Sequence, residues 1–323
     1  DAVAEELIAA KGKSLFVTGL NDTHVQYLGL AINHMLGNIG ADKSVNLDFP
    51  TITKHGDDFA ATEAIGKIGS SYKGLITYGC NPVYNMGLNL EEAGLSFHIA
   101  IGDKEDETNA EATHQCPSSH YLEAWGDSMP RTDMLLSQQP TIDRLFDTRE
   151  AGEMALVWAG SDMNFQEFIR DNWKQNYVSL QSKYTTEELF WNNMIHDGIM
   201  HLDLVPSSGA AVTSVSSNPA NSVVNFYKPG EGMELELYVK TGIGEGDYCD
   251  NPWSQELPDA ISRATWDNYI MANKDWLESQ ELFDRTFYND KRFMQMTLKT
   301  EDGQSITLPV IPIPGMQKDT LAV

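Results

Sequence analysis

One loop of the sequence has residue types that could bind a ligand at the end of a strand. The apolar segment at 74–78 predicts a buried strand, and Gly79, Cys80, Asn81 and Pro82 follow it directly. Ligands of open α/β sheets bind at the carboxyl ends of the strands, where a glycine lets them approach the backbone. Gly-x-Asn-Pro is also typical of a plain turn from a strand into a helix, so both interpretations stay open.

Two further glycine-containing loops are weaker candidates. The loop at 19–22 also follows a predicted strand, and the same two interpretations apply to it. The segment at 242–246 has glycine at every second position, but no helical pattern follows it. A dinucleotide-binding fingerprint requires a strand, the glycines and a helix in that order, so we reject this interpretation.

Histidines and cysteines occur in small groups that could ligate a metal. His114, Cys116 and His120 lie within seven residues, but no fourth ligand is evident nearby, so a polar loop is the alternative interpretation. His196 and His201 are five residues apart, which does not fit the four-residue spacing of a zinc-binding helix. We therefore assign no metal ligand in this chain. The sequence also has no serine-nucleophile or phosphate-loop motif, and we assign no catalytic residue.

The composition excludes several classes of protein. The 323 residues include 22 Lys and Arg against 47 Asp and Glu, which gives a formal charge of −25. Such a chain does not bind nucleic acid or an anionic membrane surface through charge. The three cysteines (Cys80, Cys116 and Cys249) are scattered and make neither a disulfide framework nor an iron–sulfur motif. The acidity fits a surface that attracts a cationic partner, and it fits equally well an adaptation to salt. No apolar run is long enough for a membrane-spanning helix.

The hydrophobic pattern predicts an α/β fold with a doubly wound, mainly parallel sheet. Short apolar runs that alternate with amphipathic segments are typical of βαβ units. The predicted strands cover residues 14–19, 74–79, 96–101 and 134–137; the predicted helices cover 2–10, 22–36, 57–68, 88–93 and 148–158. Further helix is predicted within 164–200.

The composition changes after residue 205, where we predict a domain boundary. Residues 1–205 form the predicted Rossmann-like domain with a helical extension, and 206–323 form a mostly β segment. Alternation at 233–240 predicts a half-exposed antiparallel strand, and 293–310 predicts a hairpin that turns at Asp302-Gly303.

Three segments resemble the molybdopterin oxidoreductase (dimethyl sulfoxide reductase) superfamily. Residues 74–82 and 120–127 are similar to the G-x-N-P loop and the later E-x-x-G stretch of that superfamily's third domain. Residues 251–268, NPWSQELPDAISRATWDN, resemble the N-x-W-L-Q-E-L-P-D-P-I-x-K-x-T-W-D-N signature of one branch. That branch is the iron–sulfur and molybdopterin-like subunit of alternative complex III, a quinol:cytochrome c oxidoreductase. Ala260 and Ser254 depart mildly from the signature, where proline and leucine are usual.

The resemblance implies a location and a role. Gly79, Asn81 and Pro82 would map to the loop that faces molybdopterin guanine dinucleotide in the wider superfamily. In this branch the region is understood to have lost the cofactor, so we expect a non-catalytic scaffold with no cofactor of its own. Iron–sulfur clusters are expected elsewhere in the full subunit, of which this chain would be a fragment whose β segment starts a barrel-like domain. The implied partners are other subunits of a membrane respiratory complex, including cytochrome c subunits, on the periplasmic face of the inner membrane.

Two alternatives stay open at this stage. The chain could be a piece of a true molybdopterin-dependent oxidoreductase that contributes one wall of a pterin-dinucleotide site. It could also be a stand-alone acidic binding protein.

Overall fold

The computed structural model describes most of the chain. The described residues are 2–20, 22–53, 56–206, 219–227, 232–244, 246, 248–280, 294–300 and 303–323. They form two compact units, Asp1–Phe226 and Tyr227–Val323. The predicted boundary at 205/206 stays a prediction. No helix among the described residues is long and apolar enough to cross a bilayer.

The first unit is a mixed α/β structure. Its described helices are α1 (Ala2–Ala9), α2 (Thr23–Met35), α3 (Asp58–Ile65), α4 (Pro82–Met86), α5 (Glu107–Ala110), α6 (Ala151–Trp158), α7 (Phe165–Asn176), α8 (Glu187–Asp197) and α9 (Pro219–Phe226). Its described strands are β1 (Gly74–Tyr78), β2 (Phe97–Gly102), β3 (His114–Pro117), β4 (Gly126–Arg131), β5 (Met134–Gln138) and β6 (Ile199–His201).

Two three-stranded sheets organise this unit. Strands β1, β2 and β3 are parallel neighbours in that order, with Ile76 opposite Ile99 and Ile99 opposite His114. Strands β4, β5 and β6 form a separate antiparallel sheet. The strand predicted at 134–137 therefore exists as β5, but it does not lie in the parallel sheet. The α/β class is confirmed.

The predicted strand at 14–19 is wrong. These residues have no strand structure, because side chains of α2 satisfy their backbone instead. The amide of Asn33 accepts from the Phe16 N–H at 3.0 Å and donates to the Phe16 carbonyl at 2.8 Å. An asparagine side chain thus replaces the neighbouring strand, and Val17 is left exposed.

The predicted helix at 88–93 is also wrong. The helical turn lies earlier, at α4, because Asn81 caps its start and Pro82 occupies its first position. Gly87 then ends α4 with a left-handed φ of +63°.

The largest described core packs α7 and α8 against the antiparallel sheet. Trp173 and Phe190 meet edge to face, with ring centroids 6.3 Å apart. The Trp173 indole N–H donates to Asp127 Oδ2 at 2.7 Å, so the buried ring leaves no orphaned donor. The other buried members are Leu135, Ile169, Trp191, Met194, Met200 and Leu202.

The second unit contains one five-stranded sheet. Its strands are β7 (Glu234–Glu236), β8 (Ile270–Asn273), β9 (Gln295–Lys299), β10 (Ser305–Ile313) and β11 (Thr320–Ala322), in the spatial order β7-β11-β8-β10-β9. Its described helices are α10 (Pro252–Glu256) and α11 (Lys274–Ser279).

Two sequence predictions, a hairpin and a strand, fall in the second unit. The hairpin is confirmed as the antiparallel pair β9 and β10, although Asp302 lies outside the described residues. The strand at 233–240 shortens to β7, which pairs in parallel with β11, so its predicted antiparallel pairing is wrong.

Candidate functional site

The loop after β1 lies at the carboxyl end of the parallel sheet. Gly79 adds one hydrogen bond between the ends of β1 and β2, because its N–H donates to the Ile101 carbonyl at 3.0 Å. Its φ of +56° is left-handed and turns the chain away from the sheet. Cys80 is exposed, and Asn81 then starts α4. The structure thus places the predicted loop at the sheet edge where ligands of open α/β sheets bind.

The side chain of Asn81 is directed into the protein. Its Oδ1 accepts from the Thr108 hydroxyl at 2.7 Å, from the Thr108 N–H at 3.2 Å and from the Tyr84 N–H at 3.4 Å. Its Nδ2 donates to Glu107 Oε2 at 2.7 Å. Thr108 is fully buried, and its hydroxyl also accepts from the Val83 N–H at 3.1 Å. Asn81 therefore connects α4 to α5.

Sequence reasoning missed Thr108 and Glu107, which complete this network. The local signal is the start of α5, where Asp106 accepts from the Asn109 N–H at 2.8 Å as a helix cap. A capped helix directly after β2 could have been predicted from the acidic run at 103–107. Its contact with α4 could not, because the partners are more than 25 residues apart in sequence.

Two clefts adjoin at the carboxyl ends of β2 and β3. The first has a volume of about 300 Å³, and the second has a volume of about 280 Å³. Both are lined by Gln115, Cys116 and Pro117. The first adds Ala100, Gly102, Asp103, Lys104, Glu105 and Asn109; the second adds Asp147, Arg149, Met154, Val157 and Trp158. Each cleft therefore mixes charges of both signs, and the first is net acidic.

Two of the three metal candidates near β3, His114 and His120, have local hydrogen-bond partners. His114 lies in β3, with Nδ1 3.2 Å from Thr113 Oγ1. His120 caps the short 3₁₀ turn Tyr121–Glu123, since its Nδ1 accepts from the Leu122 N–H at 3.3 Å. Within the described part of the chain, no cluster of three or more His, Cys, Asp or Glu side chains could hold a metal ion.

The remaining histidine candidates pair with carboxylates. His196 is exposed, and its Nδ1 lies 2.7 Å from Asp197 Oδ1. His201 lies on β6, with Nδ1 3.7 Å from Asp133 Oδ2. The two imidazoles contact different carboxylates.

Glu123, in the segment that resembles the E-x-x-G stretch, supports the backbone. It is 8% exposed and accepts from the Leu145 N–H at 3.1 Å and from the His120 N–H at 3.3 Å. Nearby Glu150 is also buried and accepts from the Trp125 N–H at 3.0 Å. Burial raises the pKa of the Glu150 carboxyl, against the opposing effects of that hydrogen bond and of Arg144 at 3.5 Å.

The segment 251–268 forms a compact surface structure in the second unit. Asp259 Oδ2 accepts from the Ser262 N–H at 2.7 Å and the Ile261 N–H at 3.0 Å. Burial alone would raise the pKa of Asp259, but the hydrogen bonds from Ser262 and Ile261 outweigh it and hold that pKa below its usual value. Lys240 Nζ donates to the carbonyls of Trp266 and Asp267 at 3.0 and 2.6 Å. These hydrogen bonds fix the conformation of the loop within residues 251–268.

Gly242 has a packing role beside this segment. A Cβ at Gly242 would lie 3.1 Å from both Leu257 Cδ2 and the Ser254 carbonyl oxygen. The glycine therefore permits a close approach between the 242–246 loop and α10. Turn structure follows at 248–250, and α10 begins at Pro252.

Comparison with known proteins identifies no family for this chain. No protein-family model and no curated protein sequence matches this chain. Among solved structures, the chain is similar to acetylene hydratase from Pelobacter acetylenicus, with a TM-score of 0.42 and 11% sequence identity. The match covers 81% of this chain and 38% of the hydratase chain. A likeness this distant carries no argument about function.

Proposed function

We propose that this chain is part of a molybdopterin-oxidoreductase-like protein and acts there as a non-catalytic assembly domain. The branch we propose is the iron–sulfur and molybdopterin-like subunit of alternative complex III, a quinol:cytochrome c electron-transfer complex. The resemblance of residues 74–82, 120–127 and 251–268 to that family supports this proposal. In this proposal the parallel sheet β1–β3 belongs to the superfamily's doubly wound third domain.

The observation that carries the non-catalytic role is the chemistry of the sheet edge. A pterin dinucleotide contains a pyrophosphate, which proteins bind with Lys, Arg and free backbone N–H groups. Here the residues after β2 include four carboxylates, Asp103, Glu105, Asp106 and Glu107, against one cation, Lys104. The Asn81 carboxamide, which the resemblance would assign to the cofactor, already bonds Thr108 and Glu107. This edge therefore does not fit a pyrophosphate-bearing group.

The charge of the chain supports a docking role. Its surface can attract a cationic neighbour over several ångströms, and association would then be guided by electrostatics. In the proposed complex the iron–sulfur clusters lie in other parts of the same subunit, and this chain contacts neighbouring subunits on the periplasmic face of the inner membrane.

Calorimetric titration with guanosine diphosphate tests the proposal. We expect no saturable binding with a Kd below about 1 mM, because the acidic edge repels the diphosphate. The double variant Asp103→Asn/Glu105→Gln is the matched comparison, since it removes two negative charges at nearly constant shape. Elemental analysis for molybdenum in the chain purified from its native source is the second readout.

The rival function has its own expected result. Two adjoining clefts at the carboxyl ends of β2 and β3 favour a piece of a true molybdopterin enzyme that contributes one wall of the site. Saturable diphosphate binding by the unmodified chain, or stoichiometric molybdenum, would establish the rival and overturn the scaffold proposal.

A further inference from the structure

Three large apolar side chains of the 251–268 segment form an exposed patch. Trp253 lies in α10 and is 84% exposed; Leu257, the residue at which α10 ends, is 55% exposed. Leu257 and Trp266 line the same small depression, and Trp266 is 48% exposed. We call Trp253, Leu257 and Trp266 the tryptophan patch.

The backbone beneath this patch is held in place by specific bonds. Asn251 caps α10 by accepting from the Trp253 N–H at 3.0 Å, and the Trp266 N–H donates to the Gln255 carbonyl at 2.8 Å. Trp266 has a φ of +66°, a left-handed conformation that is unfavourable for a bulky residue. Such strain persists where the surroundings fix it, and it is concentrated at functional sites. The fold therefore keeps two tryptophans exposed on a preorganised frame.

The surroundings of the patch are acidic. Between residues 246 and 268 the sequence has five acidic residues and one basic residue, and the adjoining Lys240 adds one cation that bonds the Trp266 and Asp267 carbonyls. Asp250, Glu256 and Asp267 are exposed, and two of them adjoin Leu257 and Trp266 in sequence. A second copy of this chain, with its formal charge of −25, is an unfavourable occupant because like charges repel. An anionic membrane surface is unfavourable for the same reason.

From this geometry we infer that the tryptophan patch docks a partner protein whose contact surface is apolar at its centre and bordered by Lys or Arg. Exposed tryptophans on a rigid frame are typical of binding hot spots, because they bury a large area at a small cost in conformational entropy. The acidic border selects the cationic partner and increases its association rate. This inference names the docking surface and partner chemistry of the assembly role proposed above, and rests on it.

The test uses the whole chain and two defined probes. One probe is a labelled amphipathic Leu/Lys peptide, and the other is a Lys/Ser peptide of equal charge. We expect the chain to bind the Leu/Lys peptide about ten-fold more tightly in fluorescence anisotropy, and both peptides more weakly at about 0.5 M NaCl. Trp253→Ala should remove the preference for Leu/Lys. Phe59→Ala, which truncates an 85% exposed aromatic of α3, should preserve it.

Each contrary result has a distinct meaning. Equal affinity for the two peptides, or a preference that Trp253→Ala leaves intact, would overturn the inference. Concentration-dependent dimerisation that Trp253→Ala abolishes would do so too, because the occupant would then be a second copy. Thermal melts of the native chain and of both variants are the control for correct folding. The guanosine diphosphate titration is independent, so a failed docking test with no diphosphate binding rejects only the docking surface.

Discussion

His98 is a buried histidine of the parallel sheet. It is buried in β2, its Nε2 lies 3.0 Å from Thr77 Oγ1, and its Nδ1 has no hydrogen-bond partner in the described structure. Burial lowers the pKa of the His98 imidazole, and the backbone and charge of Glu111 oppose this only in part. The folded chain therefore holds His98 neutral.

This lowered pKa predicts an acid-sensitive stability. As pH falls, the unfolded chain binds the proton first, so the contribution of His98 is complete above the unfolded pKa of about 6.5 and is lost below it. We expect the free energy of unfolding to fall more between pH 7 and 5 in the native chain than in His98→Gln, measured by urea titration. The control is His196→Gln, which makes the same substitution at an exposed position. Identical pH dependence in the native chain and His98→Gln would contradict this account.

The limits of sequence patterns are visible at Asn81. Its position after a strand follows from the sequence, and the structure puts it there. Whether its carboxamide contacts a ligand or the protein depends on Thr108. This residue lies 27 positions later in the sequence and contacts Asn81 only in the folded chain. Spacing alone could not decide this, because both arrangements use the same Gly-x-Asn-Pro turn.

At the scale of elements, Asn81 joins two helices through one carboxamide. Asn81→Ala removes the cap of α4 and leaves the fully buried N–H of Thr108 without its acceptor. We expect a loss of about 1–3 kcal/mol in the free energy of unfolding, from the cap and the unsatisfied buried group together. Chemical denaturation measures it.

A matched variant separates the two contributions. Asn89→Ala removes an exposed asparagine that accepts only from the local Glu92 N–H among the described bonds, at 3.0 Å. Its expected loss is about 1 kcal/mol or less, the value of one exposed hydrogen bond within a turn. Equal losses in the two variants would mean that the contact with Thr108 adds nothing.

Several elements followed from local sequence and others did not. The apolar runs predicted β1 and β2 correctly as strands, but the predicted burial holds for most of β2 and not for β1, where Ile76 and Tyr78 are exposed. The equally apolar run at 14–19 is not a strand, and the Asn33 side chain bonds both the N–H and the carbonyl of Phe16 at its centre. The pairing of β5 with β4 and β6, outside the parallel sheet, depends on contacts that periodicity does not encode.

At the scale of the whole molecule, the charge of −25 implies self-repulsion in the folded state. Raising NaCl from about 0.01 M to 0.15 M shortens the Debye length from about 30 Å to about 8 Å, which screens that repulsion. We therefore expect Tm to rise with salt, by about 2 °C for each kcal/mol gained. Calorimetry at the two salt concentrations measures it. A Tm that stays constant or falls would show that favourable ion pairs, such as Arg144–Glu153, outweigh the repulsion.

The sequence by itself determined the α/β class, the strands predicted at 74–79 and 96–101, the β9–β10 hairpin and the net acidity. These properties depend on local propensity, burial and net charge, which neighbouring residues already encode. Only the tertiary structure decided that Asn81 is directed into the protein, that β5 leaves the parallel sheet and that Trp253 and Trp266 stay exposed. Each of these depends on groups that are distant in sequence or on backbone fixed by many bonds at once, so the physical cause exists only after the chain has folded.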